Sequence, residues 1–291
     1  MALWKQIARL VKDPPPDHIF ELSEAGIAYS RNGETGFQPF EPGVLTVSPV
    51  SDNLLRPDAV ASALARIAPP NGNKRRPTAV ILPDYAARVS LIDFDSFPST
   101  PEEQLPLVRF RVKKTIPFDI DSAAVSYWAQ PASTKAGVKK VEVVAVTVAM
   151  EILARYEAVF RNANLYPGEV TTSGLAALNL YNAGGVAVIA KLTGNVLTVM
   201  AVDEGRLKLF RCLTIEGAGD DQANNDEILA VLNPTFAYIE DELGRKPEKL
   251  LLCGFPKPIE GLHMEMEPLR SHLGTPNAYN AGLLGYLEAA G

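Results

Sequence analysis

The sequence is poor in the residues that build metal centres and disulfide bonds: its 291 residues include two cysteines and three histidines. Cys212 and Cys253 each lie in an apolar run, where a free thiol packs as a small hydrophobic side chain. No spaced Cys/His set accompanies them, so we expect no zinc site, and two unpaired thiols are typical of a reducing cytoplasm. His18, His263 and His272 are scattered along the chain, without a neighbouring nucleophile. The composition therefore predicts neither a metal site nor histidine-based catalysis.

The chain also lacks a surplus of positive charge and a long hydrophobic run. It has 28 Lys and Arg residues and 34 Asp and Glu residues, which gives a net charge of -6. A general nucleic-acid binder needs a basic surface to displace counterions, so we do not expect that class of protein. No segment approaches the roughly 20 apolar residues of a membrane-spanning helix. The length predicts two lobes, at roughly 150 residues for each domain.

Residues 1–16, MALWKQIARLVKDPPP, form an unusual segment. Apolar residues recur at helical spacing, cations lie toward the other side, and three consecutive prolines end the pattern, which predicts a short basic amphipathic helix. Two alternatives stay open: the helix lies in a membrane interface, or it packs on the protein itself or on a neighbour. In the first alternative, the residues expected to contact lipid are Trp4, Lys5, Arg9 and Lys12.

Two groups of hairpin strands, each followed by helices, predict two α/β lobes. HIFELSEAGIAYSR (18–31) predicts two short strands joined by a turn at residues 23–25. The stretch 184–215 predicts three strands joined by tight turns, and the first turn is built on Lys191, Thr193, Gly194 and Asn195. Between them, YPGEVTTSGLAALNLYN (166–182) predicts a turn and then a helix. We expect a first lobe at 17–183 and a second, shortened lobe at 184–291.

The middle of the first lobe predicts an inserted α/β unit, at about residues 78–150. From 79 to 164 the order is strand, strand, helix, strand, strand, helix. The helix that begins near residue 100 has Thr100 as N-cap, Pro101 at its first position, and two glutamates that complement the helix dipole. The pattern is typical of a small subdomain with its own sheet.

The block ILPDYAARVSLIDFDSFPSTPEEQLPLVRFRVKKTIPFDIDSAAVSYW (81–128) resembles the inserted subdomain of the type IV pilus assembly protein PilM family. A strand-Pro-Asp element, an Arg-containing strand, a helix of the EE...(I/V)RF...K type and an IPF run occur there in the same order. The resemblance extends over 17–291, where the flanking lobes match by their hairpin pattern. It implies an α/β fold of the actin-like (RNase H-like) type, with two lobes and a small subdomain inserted in the first lobe. The cytoplasmic part of the secretion protein GspL is similar to the same group.

In that family, each lobe contributes a phosphate hairpin with an Asp-x-Gly turn, and a later Gly-Gly pair packs on the adenosine. Glycines let backbone N–H groups approach phosphate, and the aspartates hold magnesium through water. All three elements depart from the pattern here, since a glutamate, a lysine and a Gly-Phe pair replace them. The resemblance therefore implies a degenerate nucleotide site without catalytic residues or metal, although ATP binding without hydrolysis stays open. The residues that match this site are Glu21, Ser23, Lys191, Thr193 and Gly254.

Lys191 leaves two alternatives. A lysine on this hairpin can bind phosphate, as the P-loop lysine does. It can also be a solvated lysine on a hairpin that has lost its catalytic use. No glycine-rich loop accompanies Lys191 to supply backbone donors, so we expect the solvated lysine.

The resemblance implies a non-catalytic cytoplasmic scaffold of a type IV pilus or related secretion machine, peripheral at the inner membrane. Its expected partners are the N-terminal tail of a PilN-like membrane protein, bound in a groove beside the inserted subdomain, and other inner-membrane subunits. Two other functions stay open: a nucleotide-binding switch or slow ATPase, and a sugar or acetate kinase, for which the sequence places no catalytic Asp. The candidate groove residues, for which core packing is the alternative, are Tyr85, Arg88, Phe110, Ile116, Pro117 and Phe118.

Overall fold

The computed structural model describes residues 16–70, 72, 75–131, 133–135, 138–216 and 221–290. Within these ranges, no helix is long and apolar enough to span a membrane. The amphipathic segment with Trp4, Lys5, Arg9 and Lys12 lies outside the described residues, so its predicted membrane contact stays a prediction.

The first lobe is built on a five-stranded sheet of β1 (His18–Ser23), β2 (Gly26–Arg31), β3 (Glu34–Pro39), β4 (Arg76–Leu82) and β9 (Leu165–Thr172). The strand order is β3-β2-β1-β4-β9, and β1 runs antiparallel to β2 but parallel to β4. Helices α1 (Pro57–Ile67) and α3 (Met150–Asn162) cover one face of this sheet. Their apolar stripes form the core of the lobe because the apolar residues recur at helical spacing.

Strand β9 corrects the prediction of a turn at its Pro-Gly pair. It lies at the edge of the sheet and pairs only with β4, so a proline without an N–H group is tolerated there. The register also shifts: Thr78 lies opposite Pro167 and Ala79 opposite Glu169, which leaves Gly168 without a partner. The prediction was wrong because the Pro-Gly signal marks an irregular edge strand as well as a turn.

The inserted subdomain lies between β4 and α3. It contains β5 (Arg88–Phe94), α2 (Pro101–Val112), β6 (Ala123–Ala129), β7 (Ser133–Lys135) and the long β8 (Val138–Ala149). Strand β8 lies between β5 and β6 and is antiparallel to both. One face of this sheet packs against α2, and the other face contacts the core of the second lobe through Val89, Leu91 and Trp128.

The second lobe repeats the plan of the first. Its strands are β10 (Val186–Thr193), β11 (Val196–Asp203), β12 (Arg206–Thr214), β13 (Lys249–Cys253) and β14 (Met266–Pro268), in the order β12-β11-β10-β13-β14. Strand β10 runs antiparallel to β11 but parallel to β13, as β1 does to β2 and β4. Helix α5 (Asp221–Leu243) covers the outer face. This duplicated sheet confirms the actin-like two-lobe α/β fold that the sequence predicted.

Two helices lie between the lobes. They are α4 (Ser173–Ala177) and α6 (Ala281–Ala290), and they contact each other so closely that a side chain on Gly285 would overlap the Ala176 backbone. Leu283 of α6 packs on the first sheet, whereas Ala281 packs in the core of the second lobe. Helix α6 therefore contacts both lobes and brings its first turn to the space between them.

The first hairpin turn lies within the predicted residues 23–25, whereas the second turn lies further along the chain than predicted. The first turn consists of Glu24 and Ala25, and the second consists of Gly194 and Asn195, where Gly194 has a φ of 58°. Lys191 therefore lies within β10 and not in a turn. Because a strand fixes the direction of each side chain, this position decides where its ammonium group lies.

Candidate functional site: the cleft between the lobes

A cleft of about 380 Å³ lies between the ends of the two hairpins. The first lobe contributes the end of β1, the Glu24–Ala25 turn and the residues after β4; the second contributes the end of β10 and Ala278 and Tyr279, which precede α6. The structure therefore brings together four of the residues predicted for the nucleotide site: Glu21, Ser23, Lys191 and Thr193.

Gly254 is not among the residues that line the cleft. It follows β13 with a φ of 78°, and a side chain there would overlap the carbonyl oxygen of Leu192. The glycine is required by close backbone packing against β10. Its neighbour Phe255 packs against the outer core of the second lobe.

Glu21 is buried in the cleft, with 2% of its surface exposed, and both carboxylate oxygens accept hydrogen bonds from the protein. Oε1 accepts from the Ser173 hydroxyl, and Oε2 accepts from the backbone N–H of Leu283 at 2.7 Å. Burial raises the pKa of Glu21, although the Lys191 charge and the two hydrogen bonds oppose this shift. Each oxygen of Glu21 therefore already accepts one hydrogen bond from the chain itself.

Asp84 is a site residue that the sequence analysis missed. Asp84 lies two residues after the end of β4 in the first lobe, and its side chain is 1% exposed. Oδ1 accepts a 2.6 Å hydrogen bond from the Gly174 N–H, and Oδ2 accepts one from the Thr198 hydroxyl at 3.0 Å. The strand-Pro-Asp pattern is part of the resemblance to the PilM family, but nothing local in the sequence indicates that this carboxylate contacts the second lobe.

Lys191 is buried, with 3% of its side chain exposed, so the expectation of a solvated lysine is wrong. Its Nζ donates to the Thr193 hydroxyl at 2.7 Å and lies 3.5 Å from Oδ2 of Asp84. The Thr193 hydroxyl donates in turn to the carbonyl oxygen of Ala278 at 2.9 Å. Burial disfavours the ammonium, but the carboxylates of Asp84 and Glu21 together raise the pKa of Lys191 above its ordinary value.

Lys191 belongs to a polar row that crosses the second sheet. In register, Cys253 lies beside Lys191, Lys191 beside Thr198, and Thr198 beside Cys212. Burial raises the pKa of Cys212 to about 12 and that of Cys253 to about 11, so both thiols stay protonated at neutral pH. The nearest negative charges to Lys191 therefore come from Asp84 and Glu21 of the other lobe.

The fold implies a magnesium nucleotide in this cleft, and the residues present do not fit that ligand. The buried Lys191 ammonium lies beside Asp84 in the same cleft as Glu21, and it would repel a metal held by these two carboxylates. Asp84, which a kinase would need as an exposed base, is enclosed by its hydrogen bonds.

The residues predicted to bind a partner fall into two places. Tyr85 lines the cleft between the lobes, and the Arg88 guanidinium lies 4.7 Å from the centre of its ring. Phe110, on α2, is 73% exposed. Ile116 packs against the core of the subdomain, Pro117 is exposed, and Phe118 packs against the cores of both the subdomain and the first lobe. The structure does not bring these six residues together in one groove.

No family model and no curated protein sequence matches this chain, whereas solved structures do. A chain of a PilM-PilN type IV pilus biogenesis complex is 16% identical with a TM-score of 0.68, and the match covers 96% of this chain and 99% of that chain. The cytoplasmic domain of EpsL, an inner-membrane component of the type II secretion system of Vibrio cholerae, is 12% identical with a TM-score of 0.54, covering 94% and 93%. The chain therefore has the actin-like fold in the form that PilM and the cytoplasmic domain of EpsL also have.

Proposed function

We propose that this protein is a non-catalytic subunit of a type IV pilus or related secretion machine, and that it binds a short segment of a PilN-like inner-membrane protein. The observation that carries the non-catalytic part is the buried ammonium of Lys191. It lies 3.5 Å from Asp84 and in the same cleft as Glu21, where it would repel magnesium.

The likeness to PilM supports both the proposed machine, a type IV pilus, and the proposed partner, a PilN-like protein. It extends over nearly the whole of both chains, and the solved structure contains PilM together with PilN. The likeness to EpsL points to the same kind of setting, an inner-membrane secretion complex. The partner and the role as a scaffold are transferred to this chain as a proposal.

The surface beside the inserted subdomain is the proposed binding region. Phe118 marks the boundary between two cores, since it packs against the subdomain and the first lobe at once. Phe110, on the adjoining helix α2, exposes most of its ring to solvent. Aromatic residues are enriched among the residues that dominate binding at interfaces, so we propose that the tail binds near α2.

The protein would act at the cytoplasmic face of the inner membrane. Binding of a membrane-anchored tail would hold it there, and the basic segment at residues 1–16 would add weak contact with anionic lipid. Other inner-membrane subunits of the machine are further proposed partners.

A nucleotide-binding switch is a second candidate, and one observation favours it. The cleft keeps a volume of about 380 Å³ beside a buried ammonium group. A lysine is a familiar phosphate ligand, so a titration with ATP is needed to separate the two functions.

A peptide titration tests the proposed function. The probe is a labelled peptide from the N-terminus of a PilN-like membrane protein of the same organism, and binding is measured by fluorescence anisotropy. We expect saturable binding that Phe110→Asp weakens at least about tenfold, because a buried aromatic anchor is lost. Leu55→Asp is the control, since Leu55 is an exposed apolar residue just before α1 of the first lobe. Absence of binding to the wild-type protein would overturn the proposal, and equal binding of both variants would place the tail away from α2.

A further inference from the structure

The contact between Lys191 and Asp84 joins the two lobes inside the cleft. Asp84 follows β4 of the first lobe and also accepts the Gly174 N–H at the start of α4. Lys191 lies on β10 of the second lobe, where Thr193 and Ala278 extend its hydrogen-bond chain. Thr198 of the second lobe donates to the same oxygen of Asp84. The Asp84 carboxylate of the first lobe therefore contacts two side chains of the second lobe, Lys191 and Thr198.

The charges explain why a cation is required at this point. Glu21 and Asp84 are both buried carboxylates of the first lobe that line the same cleft. Two such groups repel each other strongly when water is excluded, unless a positive charge lies near both. In a nucleotide-binding protein of this fold, magnesium supplies positive charge there. Among the residues the structure describes, Nζ of Lys191 is the only charged nitrogen that lines the cleft.

We propose that the Lys191 ammonium replaces the metal-nucleotide complex as the bridge between the lobes, so that their arrangement does not depend on a bound nucleotide. Asp84 and Thr193 bind the ammonium, Glu21 contributes a second negative charge, and Ala278 fixes Thr193. The bridge is part of the polypeptide and cannot be released by hydrolysis. Capture of a partner tail would then be constitutive, a consequence that rests on the proposed function, whereas the bridge itself does not.

The first test uses the wild-type protein. Its melting temperature is measured in EDTA, in magnesium chloride, and in magnesium chloride with ATP. We expect the same melting temperature in all three solutions, because no ligand binds the folded state at this cleft. A rise of several degrees with magnesium and ATP would overturn the proposal, since a ligand at about 100 times its Kd stabilises a protein by roughly 2.7 kcal/mol.

The second test removes the ammonium. Lys191→Ala leaves two buried carboxylates and an empty space, and we expect the melting temperature to fall by on the order of 10 °C. We also expect Mn²⁺ alone to bind this variant, seen as loss of the free-ion signal in electron paramagnetic resonance, and to restore part of the melting temperature. The wild-type protein should bind no Mn²⁺ in this assay.

Lys208→Ala is the matched control. Lys208 is also a poorly exposed lysine of the second sheet in an ion pair, but its partner is Glu142 of the inserted subdomain, outside the cleft. We expect Lys208→Ala to lose stability without any rescue by Mn²⁺. If Mn²⁺ affects both variants alike, or if Lys191→Ala melts as the wild type does, the Lys191 bridge is contradicted. Should Lys191→Ala fail to fold, the wild-type melting series still decides the question.

The proposed function and the Lys191 bridge can be contradicted independently of each other. Stabilisation of the wild type by magnesium and ATP would contradict the bridge and leave tail binding intact. Absence of tail binding would contradict the proposed function and leave the bridge intact.

Discussion

The Glu21 carboxylate accepts a hydrogen bond of 2.7 Å from the backbone N–H of Leu283, which joins the first strand of the first lobe to helix α6. Leu283 lies in the first turn of α6, where backbone N–H groups have no partner within the helix. Gly282 permits the approach, since a β carbon there would lie 2.9 Å from Oε1 of Glu21. The Glu21 carboxylate of the first lobe thus caps helix α6 at the interface between the lobes.

This contact predicts different effects for two substitutions of Glu21. Glu21→Ala leaves the Leu283 N–H and the Ser173 hydroxyl without an acceptor, and we expect it to lower the free energy of unfolding by about 2–3 kcal/mol. Glu21→Gln keeps an acceptor oxygen and should cost less. Urea denaturation of both variants measures the difference. Equal losses for the two variants would show that the hydrogen bonds do not matter.

The raised pKa of Glu21 predicts a pH dependence of stability. The groups that face it are the Ser173 hydroxyl, the Leu283 N–H, Lys191 and Asp84. The pKa of the Glu21 carboxyl is near 4.5 in the unfolded state and higher in the folded state. The folded state therefore holds the proton more tightly, and the free energy of unfolding falls as the pH rises from the unfolded pKa to the folded pKa. We expect the stability of the wild type relative to Glu21→Gln to decrease from pH 4.5 toward neutrality. Urea denaturation of both proteins across that range is the check, and a relative stability that rises with pH would contradict it.

The position of Phe118 predicts a contrast with Phe110. Phe118 packs against two cores, so Phe118→Ala should lower the free energy of unfolding by about 2–4 kcal/mol and loosen the subdomain. Phe110 is mostly exposed, so Phe110→Ala should change stability by no more than about 0.5 kcal/mol. Chemical denaturation measures both values. A large loss for Phe110→Ala would mean that its ring is part of the fold and not of a binding surface.

The two thiols are predicted to be unreactive in the folded protein. Burial raises the pKa of both Cys212 and Cys253, and reaction with a disulfide reagent requires a thiolate. We expect slow modification at pH 8 that becomes fast for two thiols in urea. Rapid labelling of the native protein, with its melting temperature unchanged, would contradict the burial of the polar row beside Lys191.

The lobes and hairpins are predictable from the sequence because their signal is local. Alternating apolar residues, tight turns and a helix that begins at Pro101 each depend on neighbours within a few positions. Strand β3 and the irregular edge strand β9 were missed, since Pro167 and Gly168 give the same local signal as a turn. The resemblance supplied the order of the lobes, which local patterns do not specify.

The charge network of the cleft is not predictable in this way. Lys191 and Asp84 are separated by 107 positions, and each belongs to a residue type that is usually solvated. No counter-ion for Lys191 is visible among its neighbours in the sequence, so the local pattern predicts a solvated lysine. Its burial depends on the packing of one lobe on the other.

Calorimetric titration of the purified protein with ATP and magnesium, followed by the N-terminal peptide of a PilN-like membrane protein, tests the central claim most directly. We predict no heat from ATP, and the same heat from the peptide whether ATP is present or not. Micromolar binding of ATP that is lost in Lys191→Met would contradict the claim, because Lys191 would then be a phosphate ligand and the cleft a working nucleotide site.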